Sequence, residues 1–190
     1  MNVPSIRPQV TSDAAHVQRI LAMAFADEPE VAGLEADLSV RGDSWGFVAV
    51  LRDEVVGHVR ITRGWVDAPE RLVSVLVLSP LSVAPERQGR GIGRHLVAHA
   101  IAEADRLGAP VLFLEGDPGY YSLLGWRPAG QLGVSPPSDR IPAAACQAVA
   151  LSSYEPWMRG RLVYADTFWV HDCVGLRGQI LAEARVALGE

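Results

Sequence analysis

Cysteine, long apolar runs and surplus positive charge are all scarce in this chain, and each scarcity excludes a class of protein. Among 190 residues the only cysteines are Cys146 and Cys173. Two cysteines build no disulfide framework and their spacing matches no metal-ligand pattern, which predicts a reducing, cytoplasmic location and no metal site. No segment approaches the roughly 18 consecutive apolar residues of a membrane span, and residues 1–8 lack a signal-peptide core. The formal net charge of −5 argues against nucleic acid as a partner.

The bulk composition is that of an ordinary globular protein. Hydrophobic residues make up 49% of the chain and charged residues 21%, and a chain of this length buries a substantial core. We therefore expect a single domain over 1–190, with core motifs over 73–128 and a C-terminal extension over about 152–190.

Apolar periodicity, turn residues and helix caps predict a mixed α/β order of elements. Strands are predicted over 3–8, 45–51, 55–63, 73–83, 110–114, 126–129, 147–151 and 162–170. Helices are predicted over 13–25, 28–38, 91–107, 118–124 and 178–187, and a loop over 130–143. The 45–51 and 55–63 strands form a predicted hairpin, and proline within 73–83 predicts a bulge or kink.

A basic, glycine-rich turn over 88–94 joins the apolar strand 73–83 to the helix 91–107. Glycines at 89, 91 and 93 allow a ligand to approach the main chain closely, and arginines at 87, 90 and 94 add positive charge. A helix N-terminus after such a turn favours an anionic phosphate group. The sequence therefore predicts a phosphate-bearing cofactor here.

Three other interpretations of this turn are less consistent with its residues. A P-loop needs a Gly-Lys-Ser/Thr ending, whereas this turn ends in Gly93-Arg94. A dinucleotide fingerprint needs a third glycine, and position 96 is leucine. A plain turn without a ligand leaves the cluster of arginines unexplained.

Gln88-Gly89-Arg90-Gly91-Ile92-Gly93 resembles the Gln/Arg-x-x-Gly-x-Gly/Ala signature of the GNAT superfamily of acetyl-CoA-dependent N-acetyltransferases. The preceding strand 81–86 and the segment Tyr120-Tyr121-Ser122-Leu123-Leu124-Gly125-Trp126, with Trp where the superfamily has Phe, are also similar to its motifs. These motifs span 81–128, and the likeness in fold covers about 1–150. The run 116–121 further resembles a bacterial subgroup of predicted acetyltransferases whose acceptors are mostly undefined.

The resemblance implies a mixed, mostly antiparallel sheet of about seven strands with about four helices, whose fourth and fifth strands run parallel and then splay apart. The pantetheine arm of acetyl-CoA would pair with the main chain of the fourth strand, and amides over 88–94 would hold the pyrophosphate. A bulge over 79–82 would direct an N–H at the thioester carbonyl. The residues that this resemblance assigns to acetyl-CoA are Leu81, Ser82, Val83, Gln88, Gly89, Arg90, Gly91, Ile92, Gly93 and Arg94.

The implied reaction is direct attack of a primary amine, on a small molecule or a peptide, on the acetyl thioester. Tyr121 matches the position of the superfamily's usual acid, which protonates the leaving thiolate; a packing role with its hydroxyl bonded elsewhere is the alternative. The general base stays open among Glu115, Asp117, His58 and a water chain, since the preceding strand offers only Ser74; an amine that arrives already neutral would need no base.

The C-terminal aromatics and the class of protein also stay open. Trp157, Phe168 and Trp169 suit a core, a subunit contact in a homodimer or a cover over an acceptor pocket. A non-catalytic acyl-CoA-binding or sensory module is the alternative to an enzyme, and a nucleotide-binding oxidoreductase would bind NAD instead of coenzyme A.

Overall fold

A computed structural model of the protein describes residues 4–190. The strands are β1 (Ser5–Pro8), β2 (Ser44–Leu51), β3 (Glu54–Asp67), β4 (Leu72–Val83), β5 (Val111–Glu115), β6 (Arg127–Pro128), β7 (Val134–Ser135), β8 (Cys146–Ala150) and β9 (Gly160–Val163). The helices are α1 (Ala14–Ala24), α2 (Glu30–Ser39), α3 (Ile92–Arg106), α4 (Pro118–Tyr121), α5 (Asp166–Val170) and α6 (Gly178–Leu188). The strands pair in the order β1-β2-β3-β4-β5-β8-β6, and β9 pairs with β3 and β7.

Residue contacts group the chain into two compact units. The first holds the residues up to Thr62 together with Leu78–Glu103, and the second holds Arg63–Val77 together with Ala104–Glu190. Strands β3 and β4 contribute residues to both units. The single domain expected over 1–190 stays a prediction.

The first unit is built on the β2–β3 hairpin. Its turn places Arg52 and Asp53 at φ +52° and +65°, the left-handed backbone that a two-residue hairpin turn requires. The strands then pair antiparallel as far as Ser44 opposite Thr62, and β1 pairs antiparallel with β2. Helix α1 buries Val17, Ile20 and Leu21 on one face, as its apolar spacing predicted.

The second unit is built on strands β5 and β8. They pair antiparallel from Val111 opposite Ala150 to Glu115 opposite Cys146, and β6 adds to β8 in the same sense. The pairing of β4 with β5 is parallel and includes only Leu76–Leu112 and Val77–Phe113. The predicted mixed, mostly antiparallel sheet whose fourth and fifth strands run parallel is therefore confirmed.

Two predictions in the C-terminal half are wrong in part. The strand expected over 162–170 ends at Val163, and Asp166–Val170 form α5 instead. Asp166 begins that helix and accepts the Thr167 N–H at 3.0 Å, which places a negative charge at the positive helix end. The loop expected over 130–143 contains β7, because Val134 pairs with Gly160, a partner distant in sequence.

The remaining elements lie close to their predicted positions. Residue 3 of the predicted strand 3–8 lies outside the described residues. The nine strands and six helices of residues 4–190 exceed the expected seven and four, since the C-terminal extension and short pairings add elements. Within that described range, no helix combines the length and apolarity needed to cross a membrane.

Candidate active site

The glycine turn in the first unit leaves main-chain donors available. Gly89 and Gly91 have φ of +70° and +82°, a left-handed conformation that residues with a Cβ adopt only at a cost. In the described part of the chain, the amides of Gly89, Arg90 and Gly91 donate to no carbonyl or side chain. The first amides of α3 also lack intrahelical acceptors, as at every helix start. This run of free donors suits an anion.

Some side chains of this turn carry exposed positive charge, and others form contacts that stabilise the turn itself. Arg90 and Arg94 are exposed beside the free amides. Arg87 contacts Glu54 at 3.5 Å instead. Gln88 donates its main-chain N–H to Pro85 O at 3.3 Å and its side-chain amide to Val83 O at 3.1 Å. These two hydrogen bonds of Gln88 stabilise the turn itself, and the contact of Gln88 with a cofactor stays a prediction.

Strand β4 carries the other residues predicted to bind the cofactor. Its pairing with β5 ends at Val77, and within residues 4–190 none of the six residues that follow pairs with β5. Leu81 and Val83 are half-buried, whereas Ser82 is 3% exposed and its Oγ has no partner among residues 4–190. Strand β4 runs continuously over Leu72–Val83 and includes a cis Ser79–Pro80 bond; the bulge over 79–82 stays a prediction.

Tyr121 ends the short helix α4 in the second unit. Asp117 begins that helix by accepting the Gly119 N–H at 2.8 Å, which satisfies one of its free donors. The Tyr121 ring makes edge contacts with Tyr120 and Trp126, with centroid distances of 4.9 and 5.9 Å. No residue in the range 4–190 shares a hydrogen bond with its hydroxyl.

The environment of Tyr121 keeps its phenol protonated. Burial raises the pKa of Tyr121 well above its usual value, and the nearby Tyr120 and Asp117 raise it further. A half-buried phenol whose hydroxyl is not bound by the protein can donate a proton to a developing anion.

The candidates for the general base differ in burial and in hydrogen-bond partners. His58 is fully buried, and burial followed by the Arg60 charge lowers its pKa to about 3, so it is not accessible to a substrate. Ser74 accepts a hydrogen bond from Arg63. Asp117 serves as the α4 cap described above.

Glu115 is the half-buried carboxylate at the end of β5. Its Oε2 accepts the Gly175 N–H at 3.2 Å. Its charge also contributes to raising the pKa of two buried groups in the second unit, Cys146 to about 12 and Tyr164 well above its usual value, where burial is the main cause. These contacts do not single out any of the candidates as the general base.

The C-terminal aromatic residues have different environments. Phe168 is 1% exposed and packs on Tyr164 with ring centroids 5.1 Å apart. The Arg71 guanidinium lies 4.4 Å from the Trp157 ring centroid. Trp169 is 44% exposed. The predicted core role is found for Phe168, and these aromatics do not act as one cluster.

Sequence reasoning missed two groups that the folded chain assembles. A buried ion pair joins Arg60 to Glu35 through bonds of 2.6 and 2.7 Å. Around Tyr121, the main chain of Gly116 and the side chain of Gln147 form a supporting surface. An arginine inside an apolar strand was a signal for the first group; no local pattern indicated the second.

Comparison with known proteins supports the class of protein that the sequence motifs resemble. The profile of the acetyltransferase (GNAT) family matches residues 16–123. The uncharacterized N-acetyltransferase YjhQ of Escherichia coli strain K12 is 33% identical over 134 residues, which is 66% of this chain and 71% of YjhQ. This chain belongs to the GNAT acetyltransferase family. The predictions of an N-acetyltransferase with acetyl-CoA as co-substrate are thereby confirmed.

Solved structures share the fold. The GNAT family N-acetyltransferase YhbS from Escherichia coli, crystallised with CoA, has a TM-score of 0.79 over 88% of this chain and 93% of its own, at 24% identity, which shows the fold alone. A GNAT family acetyltransferase from Brucella melitensis, in complex with acetyl-CoA, has a TM-score of 0.70 over 87% of this chain and 97% of its own, at 25% identity.

Proposed function

We propose that this protein transfers the acetyl group of acetyl-CoA to a primary amine of a small molecule or peptide by direct attack. The observation that carries the proposal is the run of unpaired amides at Gly89–Gly91, ahead of α3 and beside Arg90 and Arg94. Two glycines in left-handed conformation make that surface accessible to a diphosphate. The CoA and acetyl-CoA complexes of the two structural relatives are consistent with this ligand.

Each group of residues has one task in this proposal. The amides and arginines of the turn hold the diphosphate, and the main chain at Leu81 and Val83, which lies beyond the β4–β5 pairing, hydrogen-bonds the pantetheine arm as an added strand. The acetyl thioester supplies the activated acyl group when it is bound. The amine nitrogen bonds to the acetyl carbon as the carbon–sulfur bond breaks, and Tyr121 donates its proton to the leaving sulfur, which contributes roughly 10² to 10⁴ in rate in comparable catalysts. Solvent water takes up the proton that the amine loses and returns one to Tyr121.

Tyr121→Phe tests the proton donor. It removes only the hydroxyl, so we expect turnover to fall at least about tenfold while the Kd for coenzyme A changes little. Turnover is measured as free thiol released from acetyl-CoA across a panel of amines, and Kd by calorimetry. Tyr120→Phe is the matched control, since Tyr120 is the neighbouring ring and is 40% exposed; its turnover should stay within about twofold of the wild type.

Different outcomes contradict different parts of the proposal. Turnover near the wild-type rate in Tyr121→Phe would remove Tyr121 from the acid role. Saturable binding of coenzyme A with no thiol released from any amine would favour a non-catalytic acyl-CoA-binding module.

Gly89→Ala tests the turn. Nothing lies within 4 Å of a Cβ placed on Gly89, so the change acts only through its φ of +70°. An alanine at this φ costs about 1–2 kcal/mol, so the unliganded turn should relax out of the left-handed conformation; restoring that conformation on binding predicts a Kd for coenzyme A raised about tenfold. The control is Gly42→Ala, where a Cβ also meets nothing within 4 Å and φ is not left-handed. Equal affinities of the two variants would contradict the role of the turn.

A further inference from the structure

The surface beneath the Tyr121 ring is the main chain of Gly116, and it has no space for a side chain. A Cβ on Gly116 would lie 2.5 Å from Tyr121 Cε2 and 3.0 Å from Cδ2, whereas ordinary contacts are 3.4–4 Å. The φ of Gly116 is not left-handed. Glycine is therefore required here by the closeness of the ring and not by the backbone conformation.

Two residues around the start of β8 hold this glycine in place. The Gly116 N–H donates to Ala145 O at 3.0 Å. On the other side, the Gln147 side-chain amide donates to Gly116 O at 3.3 Å. Gln147 is 0% exposed, so water does not compete for that bond. Hydrogen bonds at both its N–H and its C=O thus hold the main chain of Gly116, on which the ring lies.

Trp126 closes another flank of the ring. Its indole meets Tyr121 edge-on at an interplanar angle of 68°, and its main-chain N–H donates to Tyr121 O at 3.3 Å. The side chain is 3% exposed, and its Nε1 has no partner among residues 4–190. This position therefore uses the bulk of the ring and not its N–H.

We infer that Gly116, Gln147 and Trp126 are positioning residues that determine where the Tyr121 hydroxyl lies. The inference rests on the proposed function, in which that hydroxyl donates a proton to the leaving sulfur. A donor acts only within hydrogen-bond distance, and a displacement of about 1 Å can cost about a hundredfold in rate. A rigid support under the phenol is what a group with no hydrogen bond of its own to the protein needs to stay in place.

Gly116→Ala is the main test, because it moves the ring without altering a reacting group. To restore ordinary contact from 2.5 Å, the Tyr121 ring must shift by about 1 Å. We expect kcat to fall at least about tenfold and the KM for acetyl-CoA to stay within about twofold. Gly130→Ala is the matched control, since a Cβ there meets nothing within 4 Å and φ is not left-handed.

A double-mutant cycle shows whether Gly116 acts through the phenol. In the Tyr121→Phe background there is no proton to position, so Gly116→Ala should then lower kcat by less than about twofold. If the effects of the two substitutions on kcat multiply instead, Gly116 contributes by another route and the inference is wrong.

Gln147 and Trp126 supply variants should Gly116→Ala fold poorly. Gln147→Met keeps the length and loses the bond to Gly116 O, which should lower kcat about threefold to tenfold with little change in KM. Trp126→Phe should turn over about tenfold faster than Trp126→Ala, because phenylalanine restores an aromatic edge. Equal rates for the two Trp126 variants would count against the positioning role.

Carbon-13 NMR of labelled tyrosine rings separates this inference from the proposed function. The Tyr121 signal, assigned by its loss in Tyr121→Phe, should shift in Gly116→Ala and stay in place in Gly130→Ala. A shifted signal together with wild-type turnover in Tyr121→Phe would contradict the acid role of Tyr121 but support the role of Gly116 in positioning the Tyr121 ring. An unmoved signal and an unchanged kcat in Gly116→Ala would overturn the inference itself.

Discussion

His58 should make this protein lose stability in mild acid, because the fold buries the imidazole completely. Its Nε2 lies 3.2 Å from Gln9 Oε1 and 3.3 Å from Glu35 Oε1. Both atoms are acceptors, so Nε2 carries the proton of the neutral ring. Nδ1 is buried without a partner among the described residues. A second proton would enter there, unsolvated and close to the charge of Arg60.

The sign of the effect follows from the two pKa values. Burial and the Arg60 charge lower the folded-state pKa of His58 to about 3, from an ordinary value of 6.5. Between those limits the unfolded chain binds a proton that the native chain does not. The contribution of His58 to stability is therefore complete above pH 6.5 and is lost as the pH falls toward 3.

The size of the loss follows from the same shift. Each pH unit below 6.5 removes about 1.4 kcal/mol, so at pH ~4.5 the folded state loses about 3 kcal/mol from this residue. Glu35 has the opposite sign, because burial raises the pKa of its carboxyl despite the bonds from Arg60. The wild type and a His58 variant both keep Glu35, so the difference between their free energies of unfolding largely cancels the Glu35 contribution.

The assay is urea unfolding of the wild type and His58→Gln across the range from pH ~7.5 to ~4.5. Glutamine keeps a donor toward Gln9 and Glu35 but does not titrate. The free energy of unfolding of the wild type should fall relative to the variant by about 3 kcal/mol over that range. His16→Gln is the control, since His16 is exposed, and its curve should follow the wild type. Parallel curves for the wild type and His58→Gln would refute the reasoning.

Two further predictions concern charged residues. Arg60→Leu leaves the Glu35 carboxylate buried without its bidentate partner and should cost about 3–5 kcal/mol in urea unfolding at neutral pH; the cost should shrink as the pH is lowered, because the raised pKa of Glu35 lets it take up a proton. A cost that stays constant with pH would contradict this account. Asp117→Ala should destabilise the protein by about 1 kcal/mol through loss of the α4 cap, while Asp117→Asn keeps most of that stability and of the turnover; a total loss of turnover in Asp117→Asn would instead support Asp117 as the base.

Local sequence determined the elements whose causes lie within a few residues. Helix α3 follows from one continuous apolar face, and the turn before it follows from glycines that accept a positive φ. The hairpin between β2 and β3 follows from two alternating runs around a short polar turn. For the same reason the family was recognisable, since its signature is one contiguous turn and its flanks.

Tertiary structure alone decided contacts between residues that are distant along the chain. The residues around Arg60 do not predict that its partner is Glu35, and those around Gly116 do not predict its bond with Gln147. The members of each pair come into contact only after strands and helices have packed. The strand expected over 162–170 became α5 for a related reason: an apolar run of that length suits either structure until burial of Phe168 and the charge of Asp166 at the helix start choose between them. Short-range preference is a property of a segment, whereas the support beneath Tyr121 is a property of the packed molecule.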